Sequence, residues 1–434
     1  MANSIDGSKL TCAWDATVVP APETDSIEPV QTVDVAIIGA GWTGLRTALE
    51  LAKAGTKTAV LDKETVAFGA SGRSGGQVNL GFKQDPEDLV ALMGGKYGER
   101  MLNAVSRVGD EVFGLVVEHD LKCDPMQGGW LKASYTSKTR KRQESQKRQW
   151  EKYGVELTLL SGEQIRDMSG ARGYKAGLVY SRGGAIQPKS YTRELARVAR
   201  SFGAKIFEHS PVTEIKRANG KLELTTGKNK VIADKVVICT NGYTDGLWPG
   251  LAKTVVPIRS VQAATEPLSP ELRAQILPRG NTLSDMRRII YYFRYDRDGR
   301  LCFGGLGPFR DELRLSDFTG LIKGATKIFP ALAGVKWTHH WGGRLAMTSD
   351  ELPRIHELAP GIYAGLGFNG RGVGLGTIFG RNLATLVQTG DPDQIEFPVV
   401  PARKYPFYEF SGLGFPFVTK WMAVRDWLDL KTDG

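Results

Sequence analysis

Cysteine, histidine and long apolar runs are scarce in this sequence of 434 residues. The four cysteines, Cys12, Cys123, Cys239 and Cys302, lie far apart, and there are only five histidines. No Cys-x-x-Cys pair and no Cys/His cluster at metal-ligand spacing occurs, so we expect neither a disulfide framework nor a metal site. Reduced thiols of this kind are typical of a cytoplasmic protein.

The sequence has no stretch of 18 apolar residues, and its first 26 residues lack a basic start and an apolar core. We therefore expect no membrane-spanning helix and no secretory signal peptide. The aromatic tail at 404–430, "KYPFYEFSGLGFPFVTKWMAVRDWLDL", leaves three interpretations open: packing against the rest of the chain, peripheral membrane contact or a subunit interface.

The formal net charge is +10, and part of it is local. Residues 138–154 carry seven Lys or Arg against two Glu, which predicts a solvated helix face. No recognised nucleic-acid motif accompanies this charge, so we expect no nucleic-acid partner.

Glycine is abundant, at 52 residues, and much of it is clustered. The pattern Gly39-x-Gly41-x-x-Gly44 follows an apolar strand at 33–39 and opens a helix, as in dinucleotide-binding βαβ units. Gly39 permits the tight turn, Gly41 admits a pyrophosphate, and Gly44 packs helix on strand. Asp62 follows the second strand and is predicted to accept ribose hydroxyls. This pattern alone does not separate NAD from FAD.

Other segments of the sequence favour FAD, because they resemble segments of a known family of FAD proteins. The strand "KVVICTNG" (235–242) ends in Thr240-Asn241-Gly242 after a predicted β-meander. With "DVAIIGAGWTGL", "FGASGRSGGQV", "YYFRYDRDGRLCFGG" and "GFNGRGVGLG", it resembles the FAD-dependent D-amino-acid oxidase (DAO) superfamily. Within it, the chain is most similar to the group that contains γ-glutamylputrescine oxidoreductase and L-pipecolate oxidase.

The resemblance implies an α/β protein: a Rossmann-like FAD-binding domain of the glutathione-reductase type with an inserted α+β substrate domain on an antiparallel sheet. The expected FAD domain is discontinuous, at 31–86, 181–252 and 340–391. The expected substrate domain covers 87–180 and 253–339, with an N-terminal arm at 1–30 and a C-terminal tail at 392–434.

In such proteins the segment after the second strand lies along the FAD, and a later helix points its N-terminus at the flavin. The implied FAD-binding residues are Gly39, Gly41, Thr43, Gly44, Asp62, Lys63, Ser71, Gly72, Arg73, Ser74, Gly75, Gly76, Gln77, Val212, Thr240, Asn241, Gly242, Gly343, Gly367, Asn369, Gly370, Arg371, Gly372 and Val373. Arg73 is predicted to face either the cofactor phosphate or a substrate carboxylate, and Arg371 either the flavin or solvent. Covalent-flavin relatives use a His or Cys that this chain lacks in the matching segments, so FAD is expected to be non-covalent.

The resemblance also implies the chemistry. A small-molecule amine or amino acid, expected to be a secondary amine or to carry a carboxylate, transfers hydride to flavin N5. The imine is then hydrolysed, and O2 is reduced to H2O2. Tyr292 and Arg344 are the candidate catalytic residues: Tyr292 over the flavin rather than in the core, and Arg344 on a substrate carboxylate rather than paired with Asp350.

Three other functions stay open at this point. Sarcosine oxidases carry a lysine that helps oxygen react, and the matching position here holds Leu or Cys, which leaves another electron acceptor open. One alternative is therefore a quinone-linked dehydrogenase at a membrane surface. The others are a flavoprotein without catalysis and an NAD-dependent dehydrogenase.

Overall fold

The structure is a computed structural model and describes residues 10–310, 312–406 and 408–433. The described residues form ten α-helices: α1 Trp42–Lys53, α2 Pro86–Ser106, α3 Val108–Glu118, α4 Ser137–Glu151, α5 Gly162–Ser169, α6 Pro188–Ser201, α7 Pro270–Gln275, α8 Thr319–Ile328, α9 Gly372–Thr389 and α10 Ser411–Thr432.

The same residues form twenty strands: β1 Val30–Thr32, β2 Val35–Ile38, β3 Thr58–Leu61, β4 Gln77–Val78, β5 Trp130–Ser134, β6 Leu157–Ser161, β7 Ala176–Tyr180, β8 Gly184–Ala185, β9 Lys205–Phe207, β10 Val212–Ala218, β11 Lys221–Thr226, β12 Asn229–Ala233, β13 Lys235–Ile238, β14 Val256–Pro267, β15 Thr282–Asp285, β16 Tyr292–Tyr295, β17 Arg300–Leu306, β18 Trp337–Met347, β19 Arg354–Ala359 and β20 Ile362–Leu366.

A six-stranded sheet in the order β19-β20-β13-β2-β3-β9 forms one half of the molecule. Five of its strands run parallel, and β19 pairs antiparallel at one edge. All residues of β2 and β3 are buried, as expected for parallel strands covered on both faces. Helix α1 packs against α6 and α9, and a four-stranded sheet, β1-β12-β11-β10, shares an apolar core with the central strands.

An eight-stranded sheet in the order β18-β14-β17-β16-β15-β5-β7-β6 forms the other half. Its neighbours pair antiparallel except β15 and β5, which are parallel. Side chains alternate between its faces: Leu131 and Phe293 lie in an apolar core with α8, whereas Lys132 and Tyr292 line a large cavity. The predicted fold class is therefore confirmed.

Two observations bear on the predicted domain ranges, which remain a proposal. Strand β18 crosses the expected boundary at residue 340 and pairs within the eight-stranded sheet. Helices α2 and α3, placed in the substrate domain, pack against α9 beside the six-stranded sheet.

Residues 86–118 form two helices, α2 and α3, and α2 has a kink at Gly94. The region 253–345 contains two α-helices, α7 and α8, between its strands. The N-terminal arm is anchored by Trp14, which is completely buried. In the part of the chain that is described, no helix is both long and apolar enough to cross a membrane.

Candidate active site

A cavity of about 1510 Å³ lies between the two large sheets. It exceeds the roughly 300–1,000 Å³ of ordinary small-molecule sites, as a site for a large cofactor together with a substrate should. The residues after β2, β3, β13 and β20 line it, so it opens at the carboxyl ends of the parallel strands. Open α/β sheets bind their ligands at this edge.

The first glycine run builds a phosphate-sized cradle at the start of α1. Gly39 has φ 109°, and a Cβ on Gly44 would lie 2.0 Å from the Gly39 carbonyl oxygen, so helix and turn touch through backbone alone. Gly41 precedes α1 without a side-chain cap, while the Trp42 N–H donates to Ser71 Oγ at 3.1 Å. The helix N-terminus therefore faces the cavity, where anionic groups are favoured.

Asp62 lies at the end of β3, beside this cradle. Its Oδ2 accepts from the Ala40 N–H at 2.7 Å and its Oδ1 from the Glu64 N–H at 2.9 Å. Burial raises the pKa of the Asp62 carboxyl, and the two backbone donors oppose that rise. Lys63 and Val212 line the same end of the cavity, as the prediction requires.

The second glycine run lies along the cavity wall and is held by buried side-chain donors. The Arg73 carbonyl accepts from Gln262 Nε2 at 2.8 Å and from Trp341 Nε1 at 3.0 Å. The Ser74 carbonyl accepts from Trp14 Nε1 at 2.8 Å. Three structural elements thus fix this backbone, although it pairs into neither large sheet.

Arg294 fixes the next residue of the same run. Its Nε donates to the Gly75 carbonyl at 2.7 Å, and its Nη2 donates to the Ile186 carbonyl at 2.8 Å. The guanidinium also lies 4.5 Å from the ring centroid of Trp14. Sequence reasoning missed both Trp14 and Arg294, since their partners are backbone atoms far along the chain.

The Arg73 side chain is held in place by the neighbouring residue Phe68. Its Nε donates to the Phe68 carbonyl at 2.8 Å, and its guanidinium lies 4.9 Å from the Phe68 ring centroid. Arg73 lines the cavity, where its remaining N–H donors can bind either a phosphate or a carboxylate.

The third glycine run turns tightly before α9. Gly370 has φ 84°, and the α9 N-cap, Arg371, makes no side-chain cap hydrogen bond. The Gly367 N–H donates to Asn241 Oδ1 at 2.9 Å, which joins this turn to the one after β13. Gly372 and Val373 line the cavity, so a second open helix N-terminus faces it.

All predicted site residues except Gly44, Gly72, Gly242 and Gly367 line the cavity. Those four glycines make close contacts behind it, three of them with backbone and Gly367 with a side chain. A Cβ on Gly72 would lie 1.8 Å from the Ala67 carbonyl oxygen, and one on Gly367 would lie 2.5 Å from a Thr348 methyl carbon. They shape the site from behind its lining.

Tyr292 faces the cavity, whereas Tyr291 packs against the core on the opposite face of the sheet. The Tyr292 hydroxyl lies 2.7 Å from Ser260 Oγ, and burial raises the pKa of this phenol. The ring needs glycine at Gly75 and Gly304, where an added Cβ would come within 2.9 Å and 2.1 Å of it.

Arg344 also lines the cavity, and its guanidinium lies 5.6 Å from the Tyr243 ring centroid. The alternative partner considered for it, Asp350, forms an ion pair with Arg354.

Sequence reasoning missed Lys132, which forms a cationic group on the sheet side of the cavity together with the predicted Arg371. Lys132 Nζ donates to Gln146 Oε1 at 3.0 Å, and the Arg371 Nη1 donates to the Leu80 carbonyl at 2.7 Å. Among the described residues, neither cation has a carboxylate within ion-pair distance. Strand alternation places Lys132 on the same face of β5 as Trp130, which also lines the cavity.

Arg142 lies beside Lys132, but the Asp85 carboxylate neutralises its charge. Its Nε and Nη2 donate to the two Asp85 oxygens at 2.8 and 2.9 Å. Burial lowers the pKa of Lys132 to about 7, and the positive charges of Arg371 and Arg142 act in the same direction. Burial also lowers the pKa of Arg371, to about 10, so Arg371 stays charged at neutral pH.

The cavity lining carries nine Lys or Arg and five Asp or Glu, a surplus that favours anionic ligands. The described residues contain no group of three or more His, Cys, Asp and Glu that could hold a metal ion. With two open helix N-termini and a glycine cradle, the residues fit a dinucleotide cofactor. Lys132 and Arg371 form a cationic wall in the same cavity.

Comparisons with known proteins agree with this geometry. The chain is 32% identical to gamma-glutamylputrescine oxidoreductase from Escherichia coli over 410 residues, 93% of this chain and 95% of the relative. It is 30% identical to the probable oxidoreductase OrdL from Haemophilus influenzae over 92% of this chain and 89% of that one.

Two solved structures share the fold. Glycine oxidase from Geobacillus kaustophilus superimposes with a TM-score of 0.71 at 20% identity, covering 82% of this chain and 95% of that one. L-proline dehydrogenase from P. horikoshii superimposes with a TM-score of 0.71 at 21% identity, covering 89% of this chain and 98% of that one. Residues 34–386 match the family described as DAO, FAD dependent oxidoreductase. The chain belongs to this family, and its cofactor is FAD.

Proposed function

We propose that this protein oxidises the C–N bond of a carboxylate-bearing amine or amino acid, with O2 as the favoured final electron acceptor. The observation that carries the proposal is the cationic wall of the cavity, where Lys132 and Arg371 lie without a carboxylate partner among the described residues. Relatives named for glycine, proline and gamma-glutamylputrescine support a nitrogen-containing substrate.

FAD supplies a two-electron acceptor when it is bound. The residues proposed to hold it are those of the α1 cradle, the segment 71–77 and the turn before α9. No histidine occurs among the described cavity-lining residues, and the one lining cysteine, Cys239, lies behind the α1 turn. We therefore propose non-covalent FAD, and flavin that stays with acid-precipitated protein would contradict this.

The protein's own residues would bind and orient the substrate. Lys132 and Arg371 are proposed to bind a carboxylate, because each retains N–H donors beyond its one backbone or amide contact. Arg344, elsewhere in the cavity lining, is proposed as a second carboxylate-binding residue. Tyr292 would limit one side of the substrate pocket, since its hydroxyl is fixed by Ser260. The raised pKa keeps this hydroxyl protonated, so it is a hydrogen-bond donor and not a base.

The test is anaerobic flavin reduction by matched pairs of substrates. Each N-alkyl or cyclic amino acid, and each ω-amino acid, is compared with its neutral carboxamide. We expect the acids to bleach the flavin and the amides to react roughly 10–100-fold more slowly, the effect of one charge-assisted hydrogen bond. Equal rates for acids and amides would contradict the carboxylate assignment.

The electron acceptor is tested separately. Peroxide formed in proportion to substrate consumed in air would support the oxidase function. A second candidate, a quinone-linked dehydrogenase at a membrane surface, is favoured by the exposed apolar face of α10. Flavin that bleaches in air without peroxide, and is reoxidised by a soluble quinone, would support that candidate and reject the oxidase.

A further inference from the structure

Helix α10 is attached to the protein through its acidic side chains. Asp426 accepts from the Tyr135 hydroxyl at 3.0 Å and from Arg288 Nη1 at 2.8 Å. Asp429 binds the same Arg288 guanidinium at 2.6 Å. Asp433, near the end of the helix, accepts from the Ser137 N–H. From residue 417 to 433, every acidic side chain is thus used on the inward face.

The outward face of α10 is apolar. Phe417, Trp421, Val424 and Leu428 follow the spacing i, i+4, i+7, i+11, which places them on one stripe of a helix with 3.6 residues per turn. Phe417 is 74% exposed and Trp421 is 60% exposed, although both are large. Trp427 lies beside this stripe and is also exposed. Contiguous exposed patches of this kind mark interaction sites.

Cations flank the stripe. Lys420, Arg425 and Lys431 are exposed, the Arg425 guanidinium lies 5.7 Å from the Trp421 ring centroid, and Lys431 Nζ lies 4.1 Å from that of Trp427. Because all the acids point inward, the outward face combines aromatic side chains with positive charge only. A second copy of this chain would oppose like charges across a two-fold axis. An anionic lipid surface matches both the charge and the aromatic residues.

The helix also borders the cavity. Val418 and Met422, on its inward side, line the same cavity as Tyr292 and Lys132. The outward stripe therefore lies on the other side of a single helix from the proposed substrate site.

We propose that the outward face of α10, Phe417, Trp421, Val424, Trp427 and Leu428 with Lys420, Arg425 and Lys431, binds the surface of an anionic membrane. The helix would lie in the plane of the interface and not cross it. This proposal concerns a surface and does not depend on which amine the protein oxidises or on its electron acceptor.

The test is flotation of the FAD-loaded full chain with vesicles of phosphatidylcholine alone or with 30% phosphatidylglycerol. We expect binding to the anionic vesicles and little binding to the neutral ones. The triple change Lys420→Glu, Arg425→Glu and Lys431→Glu should lower the partition coefficient about a hundredfold, since each cation contributes roughly a factor of five. The control is Arg107→Glu, Lys228→Glu and Lys323→Glu, which changes net charge equally at exposed sites elsewhere. An equal loss in this control would overturn the assignment to α10.

The apolar stripe is tested by Trp421→Ser with Trp427→Ser, for which we expect at least a tenfold loss of binding. Val117→Ser removes an exposed apolar side chain on α3 and should leave binding unchanged. Flavin content, read from the ratio of visible to ultraviolet absorbance, establishes that each variant is folded.

Quenching by brominated lipids adds a position-specific readout, which Trp421→Phe and Trp427→Phe should reduce. Two results would overturn the proposal: wild-type protein that does not float with anionic vesicles, or self-association in sedimentation velocity that Trp421→Ser abolishes while vesicle binding persists.

Discussion

Lys132 offers the sharpest test of the cationic wall, because its charge depends on pH near neutrality. Burial lowers its pKa to about 7, and the charges of Arg371 and Arg142 act in the same direction. The ammonium is present below that pKa and is lost as pH rises through it. An Arg in its place stays charged throughout, so Lys132→Arg serves as the pH-independent reference.

The expected change in kcat/KM follows from the loss of the interaction between the Lys132 ammonium and the substrate carboxylate. By pH 9, about 1% of a group with a pKa near 7 remains protonated. If the ammonium binds a substrate carboxylate, its loss removes about 1.5–3 kcal/mol, which is roughly 10–100-fold in kcat/KM. Other titrations, above all that of the substrate amine, act on both proteins. They cancel in the ratio of wild type to Lys132→Arg.

The assay is kcat/KM for a carboxylate-bearing amine from pH 6 to pH 9, because this parameter reports the pKa values of the free enzyme. We expect the ratio of wild type to Lys132→Arg to fall 10–100-fold across this range. The kcat/KM of Lys132→Met should be low at every pH. Lys138 is an exposed lysine on α4, so Lys138→Met should have the kcat/KM of wild type. A ratio that stays constant with pH would refute the assignment of Lys132 to the substrate carboxylate.

Three further changes test the cofactor site. Gly44→Ala places a Cβ 2.0 Å from the Gly39 carbonyl oxygen, so purified protein should retain much less FAD, measured by flavin absorbance. Gly114→Ala, at an open helical glycine, is the control, and full occupancy in Gly44→Ala would contradict the cradle. Trp14→Phe removes the N–H that binds the Ser74 carbonyl and should lower stability by about 0.5–1.5 kcal/mol in chemical denaturation of the holoprotein; an unchanged midpoint would count against this contact. Arg73→Ala should weaken FAD retention if Arg73 binds phosphate, whereas a raised KM at full FAD occupancy would assign Arg73 to the substrate.

The glycine sites could be predicted from the sequence because they depend on local geometry. Gly39 and Gly370 have positive φ, and Gly44 touches backbone, so no other residue type fits these positions without strain. A strand before and a helix after such a glycine run define the context within about thirty residues. The same local pattern predicts one dinucleotide-binding βαβ unit, whereas the rest of the fold class was implied by the resemblance to the family.

The cationic wall could not be predicted in the same way. Lys132 and Arg371 come from β5 and from the turn before α9, about 240 positions apart, and no spacing rule joins them. Whether each cation is neutralised depends on a third segment, as when Asp85 pairs with Arg142 and not with Lys132. The side chains that hold the second glycine run are equally distant in sequence.

The two neighbouring glycine runs meet different physical needs. The first must expose the N-terminus of α1, so its glycines let the helix approach the turn. The second is held by side chains, which bind the carbonyls of Arg73, Ser74 and Gly75 in succession. These bonds, at about 0.5–1.5 kcal/mol each, offset the flexibility that glycine brings. Its glycines are needed for space, since a Cβ on Gly75 would lie 2.9 Å from the Tyr292 ring. The second run therefore fixes the distance between its own backbone and the Tyr292 ring on β16, which the first run does not contact.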